Sequence, residues 1–180
     1  DDPSLHGREF FGYSVAGGRD FLTSAFLPAG TEASLQCIVA IGSNRARRLV
    51  ADWLAAHGFG FVSAVHPSAV IGRDVNIAEG SAIMAGVVIN SDVSIGRHCI
   101  VNTSASVDHD CAVGDHAHIA PGVRLCGGVG VGPRTLVGAG SIVIPGVRIG
   151  ADAVVGAGSV VLANVPDGTK VAGVPARPIE

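Results

Sequence analysis

From Val65 to Val161 the chain reads VHPSAVIGRDVNIAEGSAIMAGVVINSDVSIGRHCIVNTSASVDHDCAVGDHAHIAPGVRLCGGVGVGPRTLVGAGSIVIPGVRIGADAVVGAGSVV, and every sixth residue from first to last is Val, Ile or Leu, seventeen times without a slip. A six-residue period cannot make an α-helical stripe, because at about 100° per residue the aliphatic positions wander around the helix. Nor does it alternate like an ordinary strand. Two positions after each aliphatic comes a polar, small or turn-forming series that includes Pro67, Arg73, Thr103, His109 and Pro121. Four positions after it runs a row of small or slim residues, among them Ala69, Ser81, Cys99, Ala105, Cys111 and Ala117. The pattern predicts very short strands, each turning one aliphatic residue inward, joined by turns whose inner residue is small. Two sets of glycines, one from Gly72 to Gly156 and one from Gly80 to Gly158, supply permissive backbone at those turns. Such a repeat buries its apolar residue only by stacking on its neighbours, so it predicts a parallel β-solenoid.

The 180 residues predict a segment 1–62 and a solenoid segment 63–180. In the first, the apolar run Leu35–Ile41 predicts a buried strand, and Gly42, Ser43 and Asn44 then offer a turn and a helix N-cap. Leu49, Val50, Trp53 and Leu54 mark one face of a helix over 45–57, which Gly58 is placed to end before a second extended run. That order is an α/β unit with a potential anion site at the helix N-terminus. A mononucleotide-binding unit normally has a first strand and a glycine-rich turn upstream, so this one reads as N-terminally incomplete. The Pro-punctuated end from Val174 to Pro178 predicts a cap over the last coil.

A formal net charge of -3 with no basic run argues against a nucleic-acid partner. No apolar stretch approaches the roughly 18 residues of a membrane span, and no signal-like segment opens the chain. The four cysteines, Cys37, Cys99, Cys111 and Cys126, lack CxxC spacing, which suits a reduced, cytoplasmic setting and argues against a structural zinc site or a disulfide framework. His98 and His116 stand eighteen residues apart and are expected to stack on one face as surface residues.

Functional side chains concentrate in Val101–Gly130, where the repeat is otherwise bland, and His109 projects outward from a turn. The hexads resemble the left-handed β-helix of hexapeptide-repeat acyltransferases. With VDHDC at 107–111, Val101-Asn102-Thr103, AIGSN at 40–44 and GVPA at 173–176, the chain is similar to the PglD, PerB and NeuD group of bacterial sugar acetyltransferases. The resemblance covers essentially the whole chain. It implies a mainly β fold, acetyl-CoA as co-substrate with no metal, a nucleotide-linked amino sugar as acceptor, and a homotrimer whose neighbouring solenoids form the acetyl-CoA groove. It makes His109 the general base and Asp110 the group that orients it. Gly127, one coil beyond His109, would turn its N–H toward the developing oxyanion and the cofactor. His118, Ala139 and Ala157 match acetyl-CoA contacts, though the family has different residues at the last two. Asp1, Asp2 and Gly42 match acceptor-binding positions, and Asn102 lies near the sugar.

Two other enzymatic readings stand beside N-acetylation. One is O-acetylation of a sugar such as sialic acid by the same base. The other is a γ-carbonic-anhydrase-like hydratase, with zinc held by ligands from two subunits among His98, His109, His116 and His118. A non-catalytic sugar-nucleotide-binding trimer is the reading outside the enzymes.

Overall fold

A computed structural model describes residues 2–26 and 35–180. Asp1, one of the expected acceptor contacts, lies outside them. The chain is mainly β, and from Ala64 onward two-residue strands wind round three faces. The first face carries Ala64–Val65, Ala82–Ile83, Ile100–Val101, His118–Ile119, Leu136–Val137 and Val154–Val155; the second runs from Val70–Ile71 to Val160–Val161, and the third from Asn76–Ile77 to Arg148–Ile149. All pairing between coils is parallel, and its register is the eighteen-residue ruler of the sequence: Ile100 lies opposite both Ala82 and His118.

From Ile83 to Val161 the periodic aliphatics are buried, and the slim row fills the corners between them with Cys99, Ala105, Cys111 and Ala117. Each buried Val, Ile or Leu contributes roughly 1.5–3 kcal/mol of transfer free energy, which a thin core accumulates coil by coil. The first two aliphatics differ, since Val65 and Ile71 remain 46% and 39% exposed where no preceding coil covers them.

The two glycine sets answer different constraints. Three positions after each aliphatic from Ile71 to Val155 the backbone is left-handed, with φ of 69° at Gly128, and residues other than glycine share this position, including His98, Asp110 and His116. The other set is needed for close approach: a Cβ on Gly114 would lie 2.6 Å from the Pro133 nitrogen in the next coil. Permissive backbone accounts for the set from Gly80 to Gly158 only.

Ahead of the solenoid, among the described residues, the Leu35–Ile41 run pairs only over Gln36–Cys37, in a parallel sheet with Gly60–Phe61. With one neighbour among the described residues, it is shorter and less buried than the apolar run implies, with Val39 inside and Ile38 at 39% exposure. Helix α1 spans Arg19–Phe26. Helix α2 spans Asn44–Ala56, with the Ser43 side chain accepting from the Ala46 N–H at its N-cap, and Gly58, φ 80°, just beyond the His57 C-cap. Ala51 and Leu54 of α2 pack with Val39 and Phe59 in a small second core. At the other end, Lys170–Gly173 adds to the first face and turns back as Ala176–Pro178, burying Val171.

Candidate active site

The turn between the second and third faces carries His109 and Asp110. Val107 is buried as the coil's inward residue, and the next turn positions therefore point to solvent, leaving the His109 side chain 60% exposed. Asp110, at φ 59°, folds its carboxylate back onto the preceding imidazole, with Nδ1 and Oδ2 2.7 Å apart. An ionised carboxylate only accepts, so Nδ1 carries the proton and Nε2 keeps a free lone pair. That hydrogen bond, with the Asp108 charge as the next contribution, holds the His109 pKa above the ordinary imidazole range. Asp108 also accepts from the His109 N–H at 2.9 Å and from Asn90 Nδ2, one coil earlier, at 2.7 Å.

One coil further on, a Cβ added to Gly127 would lie 2.7 Å from both Cε1 and Nε2 of His109. The bare α-carbon is what gives the ring its place. The Gly128 N–H donates to the His109 carbonyl at 2.8 Å, fixing the two turns against each other, whereas the Gly127 N–H finds no acceptor among the described residues. Asn102 and Asp108 each cap the N–H of the following residue with a side-chain oxygen. At the corresponding place before Gly127 stands Cys126, and the donor stays available.

A second group forms elsewhere. The His118 side chain lies against the outside of the first face, where Asn102 Nδ2 approaches its Nε2 at 3.2 Å, and it shares a cleft with Gly42. Burial, with Arg47 nearby, lowers the His118 pKa and so favours the uncharged ring. Gly42, Ser43, Asn44, Arg45 and Arg48 at the start of α2 face His118, Arg134 and Leu136 across a cleft of about 760 Å³. Gly42, Asn102 and His118 are thus brought together. Ala139 and Ala157 are not part of this group; they sit on the edge between the first and second faces, in the same turn column as Thr103. Asp2 caps the short Pro3–Leu5 helix through Ser4, which keeps its carboxyl below the usual range, and it is not among the residues lining the cleft.

His98 and His116 are not surface residues. They are 5% and 9% exposed, stacked 5.0 Å apart, with Phe61 edge-on to His98. The segment before the solenoid covers a turn column that the repeat alone leaves outside. Among the described residues neither Nδ1 has a hydrogen-bond partner, and burial lowers both pKa values. The folded state therefore resists protons that the unfolded chain accepts, so its stability falls as pH drops below the ordinary value of 6.5 toward the lowered folded values. Thermal unfolding between about pH 5 and 8 should show Tm falling on the acid side. A His98→Asn/His116→Asn variant, whose amides tolerate the left-handed backbone, should lose that part of the slope. Among the described residues no three His, Cys, Asp or Glu side chains gather as a metal-binding group.

Sequence reasoning missed Arg47, the reach of Asn44 to the solenoid carbonyls, and the arginines that wall the cleft. The eighteen-residue ruler identifies the column His98, His116, Arg134 and Asp152, but not that a helix docks on it. The pair Asn90 and Asp108 beneath His109 was open to the same ruler.

A profile for bacterial transferase hexapeptide repeats (six repeats) matches residues 128–163. Comparison with curated proteins finds no match. Among solved structures, a histidine-to-asparagine variant of perosamine N-acetyltransferase from Caulobacter crescentus, in complex with CoA and GDP-perosamine, is 44% identical over 96% of this chain and 80% of its own, with a TM-score of 0.91. The acetyltransferase domain of PglB from Neisseria gonorrhoeae FA1090, in complex with acetyl coenzyme A, is 34% identical over 99% and 84%, with a TM-score of 0.90. WeeI from Acinetobacter baumannii AYE is 28% identical over the same shares, with a TM-score of 0.88.

Proposed function

Because this chain belongs to the hexapeptide-repeat sugar N-acetyltransferases, built on a left-handed β-helix, we propose that it transfers the acetyl group of acetyl-CoA to the amine of a nucleotide-linked amino sugar with His109 as general base. The observation that carries this reading is the juxtaposition of an anchored imidazole with an open Nε2 and an unpaired Gly127 N–H. The acceptor amine attacks the thioester carbonyl as Nε2 takes its proton. The Gly127 N–H donates to the resulting oxyanion. As that intermediate collapses, the C–S bond breaks, and the imidazolium returns the proton to the departing thiolate, leaving an amide and free CoA.

Asp110 keeps the tautomer and raises the basicity of His109. The base works only when neutral, so kcat/KM for the acceptor should rise with pH through the raised His109 pKa. Asp110→Asn removes the largest cause of that elevation and should move the acidic limb of the profile to lower pH while lowering its plateau. An unmoved limb would separate Asp110 from the base.

His109, the His118 group and the Ala139–Ala157 column lie at three different places around the solenoid, so one chain alone does not enclose acetyl-CoA. We take the working unit to be a homotrimer in which Gly127, His118, Ala139 and Ala157 meet the cofactor in a groove between neighbours, a closed arrangement for a head-to-tail contact. Gly42 and Asn102, with Asp1 and Asp2, would serve the nucleotide sugar, and the segment 1–62 would be its binding unit ahead of the catalytic solenoid 63–180. Four free thiols suit a cytoplasmic site, where acetyl-CoA is at hand. No helix among the described residues is long and apolar enough to cross a membrane.

The test is thiol release from acetyl-CoA across UDP- and GDP-linked amino sugars and free sialic acid, with mass measured by light scattering. Release with an amino sugar from a particle of three chains is expected. Release with hydroxyl acceptors alone, or full activity as a monomer, would overturn this reading.

A further inference from the structure

Arg47 belongs to the run Arg45-Ala46-Arg47-Arg48 at the start of α2, yet it is 1% exposed. Among the described residues no carboxylate pairs with it. Its five donors meet neutral oxygens: Nε reaches the His98 carbonyl at 2.8 Å, Nη1 the Ile41 and Gly42 carbonyls at 2.9 and 3.2 Å, and Nη2 the Asn44 Oδ1 and His116 carbonyl at 2.9 and 2.7 Å. Nη2 also lies 3.3 Å from the carbonyl of Ala117, the residue before His118. Asn44 continues the ladder by donating to the Arg134 and Thr135 carbonyls at 2.9 and 3.1 Å. His98, His116 and Arg134 are one turn column at successive coils, all left-handed, and this fork and one amide read its carbonyls in order. Burying an unpaired cation is costly, and it is tolerated here because every donor is satisfied.

The same side chain therefore bonds to both walls of the cleft, the Gly42–Asn44 loop on one side and the chain leading into the strand that carries His118 on the other. We propose that Arg47 is a positioning residue for acceptor binding: it sets where the Gly42 loop stands relative to Asn102, between which the nucleotide-linked amino sugar is held, while His118 keeps its place through the strand ladder of the solenoid. This rests on the acetyltransferase reading, and it adds a residue that touches neither substrate. Lysine keeps the charge but supplies a single nitrogen, which cannot reach two coils and the loop together.

The experiment is steady-state kinetics of the full chain and its Arg47→Lys and Arg47→Ala variants, with a UDP- or GDP-linked amino sugar and acetyl-CoA varied separately, beside thermal unfolding. In Arg47→Lys the acceptor KM should rise about tenfold or more, the scale of losing charge-assisted hydrogen bonds, while the acetyl-CoA KM stays within about twofold. Millimolar guanidinium should lower the acceptor KM of Arg47→Ala, and methylammonium should not. A merely structural Arg47 would lower Tm and the active fraction with both KM values unchanged, and that result in Arg47→Lys overturns the proposal even if Arg47→Ala fails to fold. Wild-type chain inactive on every amino sugar removes the functional reading, and this proposal with it; an active wild type with an unmoved acceptor KM removes this proposal alone.

Discussion

Replacing His109 with asparagine should lower kcat for acetyl transfer by roughly 10²–10⁴, the usual contribution of a positioned general base, while acetyl-CoA binding is retained. The side chain is exposed and its inward neighbour Val107 carries the packing, so the fold should survive the change. Asparagine fills the turn but offers no basic nitrogen where Nε2 stands. The ion pair with Asp110 is between exposed groups and contributes little to stability, so the unfolding temperature should barely move. Stopped-time assays at saturating acceptor, with acetyl-CoA affinity measured by calorimetry, separate the two effects. A variant that turns over at the wild-type rate would remove His109 from the chemistry.

Gly127→Ala should be nearly as damaging through a different route. The added methyl would lie 2.7 Å from Cε1 and Nε2, closer than carbon and nitrogen tolerate, and the imidazole is the part free to swing away. Gly127 does not need a left-handed backbone, since that role belongs to Gly128, so alanine strains the neighbour rather than the turn. A displacement of about 1 Å costs on the order of 10²-fold in rate, and crowding at the adjacent N–H weakens oxyanion stabilisation in the same direction. The expected result is kcat lowered by about 10² with little change in Tm. A loss of stability equal to the loss of rate would mean instead that the coil had shifted.

The solenoid was legible because its constraint is local and repeated: one aliphatic per strand, one small corner residue, one left-handed position. The ruler that placed Gly127 beside His109 is the same one that sets the register of the strand pairs from Ala64–Val65 to Val160–Val161. What the repeat could not convey is how the preceding segment lies on it. His98 and His116 occupy turn positions that face outward in any single coil, and their burial comes from residues tens of positions earlier. Arg47 stands in a basic stretch of an amphipathic helix, where charge ordinarily means solvent, and only the docked structure shows carbonyls waiting for it. Leu35–Ile41 has the composition of a central strand, but a strand's length depends on its neighbours, and among the described residues it has only Gly60–Phe61. The His118 group was half legible: the residues were identified one by one, but their meeting with the α2 loop is a matter of packing.

The central claim is that this chain makes an amide on a nucleotide-linked amino sugar. The most direct measurement is mass spectrometry of the acceptor after incubation with acetyl-CoA, with and without hydroxylamine, which cleaves acetyl esters and spares amides. The account predicts a gain of one acetyl group that survives hydroxylamine and disappears with His109→Asn. An acetyl group lost to hydroxylamine, or no gain on any amino sugar while thiol is released, would contradict it.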